Sequence, residues 1–261
     1  MRDILSDLET GPKFLDPDPV RRGQGRIKTE LPKRFYKEVS TAAGEGGFRV
    51  LLDGRAARTP GRAQLALPSE AVAALVAEEF AAQGERIDPV TMPPYRLVNS
   101  AIDGVATDVG AVVEDIGRYA GSDLVCYRAD GPERLQRLQA EAWDPVVDWA
   151  RRELGARFFL AEGVMHVAQP AEAIAAVEDR LKRHSDPFRV AALHLVTTIT
   201  GSVLIALMVE SGSLSADEAW RAAHVDEDWN ISQWGEDDEA IARREFRHRD
   251  FLAAMRLIEL T

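Results

Sequence analysis

The chain has 261 residues, 46% of them hydrophobic and 29% charged, with a formal net charge of −11. That composition is ordinary for a soluble globular protein and far from a disordered one, and the length favours two domains over one. The acidity argues against a nucleic acid as the main partner, and the single cysteine, Cys126, excludes an intramolecular disulfide and fits a reducing compartment.

The first residues, Met1-Arg2-Asp3-Ile4-Leu5-Ser6-Asp7, mix charges and have no apolar core. Neither a secretory signal nor an Arg-rich transit peptide is read there, so a bacterial cytoplasmic protein is expected. Glycines and prolines crowd residues 1–32, as in Asp16-Pro17-Asp18-Pro19, and predict an extended arm. From Phe35 the pattern turns to strands. Phe35, Val39, Phe48, Val50 and Leu52 are strand positions, Gly44-Glu45-Gly46-Gly47 connects a hairpin, and Asp53-Gly54 makes a second tight turn. Leu65 and Leu67 mark a further short strand. Ser69 is the expected cap of a helix with Val72, Leu75, Val76 and Phe80 on one face, stopped at Gln83-Gly84 by a left-handed glycine.

Pro89, Pro93 and Pro94 predict an extended segment, followed by a helix presenting Val105, Val109, Val112, Val113 and Ile116. Ser122–Arg128 reads as a strand, and Asp130-Gly131-Pro132 as a turn near the domain boundary. Beyond it the pattern is helical. Glu133–Leu154 comes first, and Pro170 and Pro187 each introduce a helix, the second buried and continuous to Val209. Ser215 and Glu218 fit a capping box, and a terminal helix starts near Asp237 with Phe251, Leu252, Met255 and Ile258. The run Val190–Val209 has the length of a membrane span, but His194, three threonines, Gly201 and Ser202 dilute it, so a buried helix is expected. Strands first and helices afterwards give an α+β fold: an arm over residues 1–32, a mixed domain over 33–121 and an all-α domain over 122–261.

Catalytic chemistry is hard to find. The histidines, His166, His184, His194, His224 and His248, form no H-E-x-x-H, and no Cys-x-x-Cys accompanies them. His194 reads as a hydrogen-bonded core or interface residue rather than a ligand. His224 near Asp226 and Asp228 reads as a solvated helix end rather than a metal cluster. No phosphate loop or nucleophile elbow is present, and Cys126 reads as a small apolar side chain. No catalytic residue, metal or cofactor is therefore expected. The one concentrated polar feature is Glu236-Asp237-Asp238-Glu239 after Trp234-Gly235. By residue type it is a carboxylate pair for acid–base work, a first helical turn matched to the macrodipole, or an acidic docking knob. A small-molecule enzyme with a site between the domains, and a structural subunit of a stable complex, both stay open at this level.

Several motifs together resemble one family. They include Arg34-Phe35-Tyr36-Lys37, Leu52-Asp53-Gly54-Arg55, Glu78-Glu79-Phe80-x-x-Gln83, Ile87-Asp88-Pro89-x-Thr91-Met92-Pro93 and Asn99-Ser100-Ala101-Ile102-Asp103. Asp123-Leu124-Val125-Cys126-Tyr127-Arg128, Trp143-Asp144-Pro145 with Trp149, and Trp234-Gly235-Glu236 complete the series. Their order and spacing resemble the assembly chaperones of F-type ATP synthase that bind its free α subunit, the Atp-twelve family. The chain departs from that pattern at Asn230, where glutamine is expected, and at Ile241-Ala242, where organellar members carry His-Asp. The resemblance implies a monomeric chaperone, without enzymatic activity or membrane insertion, that shields the α subunit until the β subunit replaces it. It also implies a partner-binding role for Trp234, Glu236, and Asp238 or Glu239.

Overall fold

A computed structural model describes residues 31–163 and 166–261; of the expected arm over residues 1–32, only Leu31 and Pro32 lie within that range. The alternating segment after Tyr36 forms the expected hairpin. β1 (Val39–Gly44) and β2 (Gly47–Leu52) pair antiparallel, from Val39 opposite Leu52 to Gly44 opposite Gly47. The other edge of β2 is shared: β3 (Arg55–Ala56) pairs with Leu51 and Leu52, and β4 (Ala66–Leu67) with Phe48 and Arg49. Asp53 and Gly54 make the turn into β3 with φ of 49° and 77°, both positive as a primed hairpin turn requires. The Asp53 carboxylate accepts hydrogen bonds from the backbone N–H groups of Glu38 and Lys37 at 2.8 and 2.9 Å, which hold its pKa below the usual carboxylate range.

Helix α1 (Glu70–Ala81) starts where Ser69 Oγ accepts from Val72 N at 3.2 Å, and it buries Val72, Ala73, Val76 and Phe80 against β1 and β2. Leu75, expected on that face, is only half-buried. The stop also differs from the expected one. Ala82 ends the helix in the right-handed region, and Gly84 is not left-handed.

The segment expected to be extended is α2 (Pro93–Asp103), preceded by a short 3-10 turn at Pro89–Thr91. Pro93 and Pro94 occupy the first helical turn, where a missing N–H removes no intrahelical bond, so prolines here begin a helix rather than prevent one. Two side chains tie these pieces together. Buried Gln83 donates from Nε2 to Glu79 O and Thr91 Oγ1, both at 3.2 Å, and accepts from Asp88 N at 2.7 Å. Asp103 accepts from Thr59 Oγ1 at 2.7 Å and Gly61 N at 2.8 Å.

The remaining elements are mainly helical: α3 (Val109–Arg118), α4 (Glu133–Trp149), α5 (Ala171–Leu181), α6 (Pro187–Thr200), α7 (Val203–Glu210), α8 (Ala216–Ala223), α9 (Val225–Trp234) and α10 (Asp238–Leu260). The expected strand over Ser122–Arg128 is mostly a 3-10 turn. Only β5 (Tyr127–Arg128) is extended, paired in parallel with β6 (Ala161–Glu162). The predicted helix from Val105 to Ile116 begins instead at Val109, after a 3-10 turn, with Asp108 capping Ala111 N at 3.0 Å. The chain separates into two compact units, one running to Thr107 and including Leu260–Thr261, the other Asp108–Glu259. The sequence places the division between residues 121 and 122. Helix α3 lies with the second unit, packed on α5 and α6.

The long apolar run is two helices, not one. Gly201, at φ 68°, ends α6 in the left-handed conformation, and Ser202 Oγ caps α7 through Ile205 N at 3.0 Å. Asp123 is fully buried at the same break, accepting from Val125 N at 3.2 Å and Leu204 N at 3.0 Å. Burial pushes its carboxyl up to about 6 even though these donors favour the charged form. Every residue of α7 from Val203 to Val209 is buried, so this pair of helices is the centre of the second core. Among the described residues no helix is long and apolar enough to cross a membrane.

Candidate functional site

The polar feature singled out in the sequence lies at the corner between α9 and α10. Helix α9 has no buried residue, although ten residues form it. Its last residue, Trp234, is 87% exposed. Gly235 then turns the chain with φ 84° and ψ −180°, a backbone region open essentially to glycine alone. The acidic run divides into different tasks. Asp237 caps α10, its Oδ2 accepting from Ala240 N at 3.1 Å and its carbonyl from Ile241 N at 2.9 Å. Glu239 pairs with Arg243 one turn on, at 2.9 Å, but its side chain stays 81% exposed, so the pair contributes only about 0.3–0.5 kcal/mol. Glu236 and Asp238 form no ion pair among the described residues. The structure therefore brings Trp234, Glu236, Asp238 and Glu239 to one exposed corner, and it gives the capping role to Asp237.

A groove of about 730 Å³ runs between α9 and α10 beside this corner. Ile231 of α9 and Ala240 and Ile241 of α10 line it, with Trp220 of α8 at its base. The Trp220 ring lies 3.8 Å from the His224 ring, 4.4 Å from His248 and 5.4 Å from Phe251, centroid to centroid. Arg244 ties the two helices by its 2.5 Å ion pair with Asp228. The sequence gives Trp220 and Arg244 no site role, and it marks Ile241 and His248 only as a departure from the family pattern and as one of the scattered histidines. The signal was nonetheless present: residues 240/241, 244/245 and 248 fall one helical turn apart, on the stripe of α10 that continues into buried Phe251 and Met255. Leu252, expected on the buried face, is 41% exposed. A second groove of about 570 Å³ lies between α4 and the α8–α9 pair, with Leu138, Pro145 and Trp229 in its walls and Arg134 over the Trp229 ring at 5.6 Å.

The other candidate groups are used structurally. His224 is buried rather than solvated. Its Nδ1 donates to Trp220 O at 2.8 Å, and burial lowers its pKa. Its acidic neighbours are drawn elsewhere, Asp226 to Gln139 Nε2 at 2.7 Å and Asp228 to Arg244. His194 is buried with Nε2 at 3.1 Å from Asp115 Oδ2. Cys126 is buried, and desolvation pushes its thiol up to about 12, the opposite of what a nucleophile needs. Among the described residues no group of three or more His, Cys, Asp or Glu is placed to hold a metal.

A family model described as "ATP12 chaperone protein" matches residues 33–151, which include the hairpin, α1, α2 and α4 but stop before the α9–α10 corner. A crystal structure of a putative chaperone from Agrobacterium tumefaciens is 52% identical, covering 99% of this chain and 96% of that one with a TM-score of 0.84. Atp12 from Paracoccus denitrificans is 41% identical over 88% of this chain and 98% of its own, with a TM-score of 0.82. Among curated proteins, the mitochondrial protein atp12 of Schizosaccharomyces pombe is 19% identical over 222 residues, 80% of this chain and 75% of that protein.

Proposed function

The chain belongs to the ATP12 chaperone family of non-enzymatic ATP synthase assembly factors, and from that premise we propose that it binds the unassembled α subunit of the catalytic head. It holds that subunit against aggregation until the β subunit displaces it. A free α subunit exposes surface destined for its neighbours, and apolar patches of that kind self-associate. A chaperone must later yield such a surface, which calls for a partly polar interface of moderate affinity.

The observation that carries this reading is the α9–α10 corner. Trp234 is 87% exposed beside Glu236 and Asp238, which form no ion pair among the described residues. An exposed tryptophan with charged neighbours is a common interface anchor, because it loses a large apolar area to water exclusion while the charges fix register. The protein acts as a monomer in the cytoplasm on this reading, and it binds no ATP itself.

The test is refolding of the α subunit, followed by light scattering. Scattering should fall in proportion to added chaperone and level off near an equimolar ratio, and added β subunit should release the client. Indifference to the chaperone at equimolar ratio would defeat the reading. A complex that β subunit cannot dissociate would make the protein a structural subunit instead.

A further inference from the structure

The groove between α9 and α10 has a composition that selects its occupant. Its base is apolar, from Trp220, Ile231, Ala240 and Ile241, while its rim carries Glu227, Asp228, Glu236, Asp237 and Glu245. The basic groups in its lining are Arg244 and His248. Arg244 is already paired with Asp228, and Asp237 caps α10. Glu227 lies 3.8 Å from His224 Nε2, but burial lowers the pKa of that imidazole and so favours its neutral form. Among the described residues Glu236 and Glu245 form no ion pair. An apolar floor under a net negative rim is complementary to an apolar side chain flanked by cations.

Two features show that, among the described residues, this face lacks its cover. Helix α9 has ten residues and buries none of them, whereas a helix that short depends on packing for its stability. Trp234, at the edge of the groove, leaves 87% of its surface in water. The groove on the other side of α9 offers no such selection. There Arg134 and Arg221 oppose Glu141, Glu218 and Asp228, so its charges nearly balance.

Resting on the α-subunit reading, the geometry points to a client segment that presents an apolar side chain between arginine or lysine residues. The apolar group sits over Trp220 and Ile241. A flanking cation stacks on the Trp234 ring and pairs with Glu236. Specificity then comes from the sign of the flanking charge, and affinity from the covered aromatic surface.

Calorimetry of the full-length protein with two blocked synthetic peptides tests this, one alternating leucine and arginine, the other leucine and glutamate. The Leu-Arg peptide should bind at least about tenfold more tightly. Trp234→Ala and the groove-filling Ile241→Trp, neither of which changes net charge, should each weaken it by about tenfold, with circular dichroism unchanged. The milder Glu236→Gln should weaken it by roughly threefold. Equal binding of the two peptides, or wild-type binding by the groove variants, overturns the proposal. Capture of the α subunit separates the two levels. Variants that capture it normally overturn the groove and leave the chaperone reading standing. A wild-type protein that fails to capture it, yet shows the expected peptide pattern, overturns the chaperone reading and keeps the groove's chemistry.

Discussion

The motif-rich first unit and the α9–α10 corner of the second use polar residues in opposite ways. In the first unit the signature side chains bond within their own chain, whether buried like Gln83 or exposed like Asp103. Gln83 makes three hydrogen bonds while buried, Asp103 holds Thr59 and Gly61, and Tyr36 donates to Phe80 O at 2.8 Å. At the corner, Trp234 and Glu239 are 87% and 81% exposed, the first over the whole residue and the second over its side chain, and Glu236 and Asp238 form no ion pair among the described residues. A polar group whose bonding capacity is filled by its own chain is scaffold. One left open to solvent beside an apolar groove has capacity to spare for a partner. Recognisable motifs are therefore a guide to the family here, but a poor guide to the docking surface.

The scaffold side of this contrast breaks most visibly at Gln83. Gln83→Ala leaves Asp88 N and neighbouring groups unpaired and opens a small cavity, a loss of about 4 kcal/mol. Denaturant unfolding should show that loss, with client capture per folded molecule unchanged. A capture defect larger than the folding defect would move Gln83 to the binding side.

Asp123 gives the next effect, through pH. Its carboxyl is raised by burial to about 6 from an ordinary 3.8. Between those values the folded state binds a proton that the unfolded state lacks, so the group's contribution is present at low pH and is lost as pH rises. The change amounts to at most about 3 kcal/mol. Asp123→Asn, which does not titrate, should therefore lower the melting temperature more at pH 4 than at pH 7. A deficit that grows towards pH 7 would mean that the charged form is the favoured one.

A smaller loss is expected at the break between α6 and α7. Gly201→Ala puts a side chain at φ 68°, but the new Cβ would meet only Leu124 Cβ at an ordinary 3.6 Å. Backbone conformation alone then sets the cost, about 1–2 kcal/mol. Thermal melting that matches the parent would show that the left-handed turn is not what divides the apolar run.

Much of the local chemistry was legible in the sequence where neighbours in the chain decide it, although the expected left-handed stop at Gly84 was not met. Asp53-Gly54 reads as a turn because its φ requirement is local, and Ser69 and Ser215 read as caps because their acceptors lie three residues from the N–H groups they bind. Features decided at a distance were misread. Pro93 and Pro94 were compatible with either an extended run or a helix start, and only the position of the helix distinguishes the two. The Val190–Val209 run kept a helical composition through Gly201, while the buried carboxylate that accepts from Leu204 N at the break, Asp123, comes from far along the chain. The acidic corner was visible as a cluster, but its division of labour was not. Asp237 became the cap only because Gly235 turns the chain just before it. The groove was hidden for the same reason, since it exists only where α8, α9 and α10 meet.

The corner should show the smallest effect on stability and the largest on capture. First-turn carboxylates contribute only about 0.3–1 kcal/mol each to a helix. Removing one that faces a cation in a desolvated interface costs about 2–5 kcal/mol of partner binding. The most direct test is to measure melting and α-subunit capture side by side for Glu236→Lys, Asp238→Lys and Glu239→Lys. Melting temperatures close to the parent's, with capture weakened at least about tenfold in one or more of the three, are the predicted result. Full capture by all three variants, or a collapse of thermal stability, would assign these residues to helix capping and contradict the α9–α10 corner as the docking site.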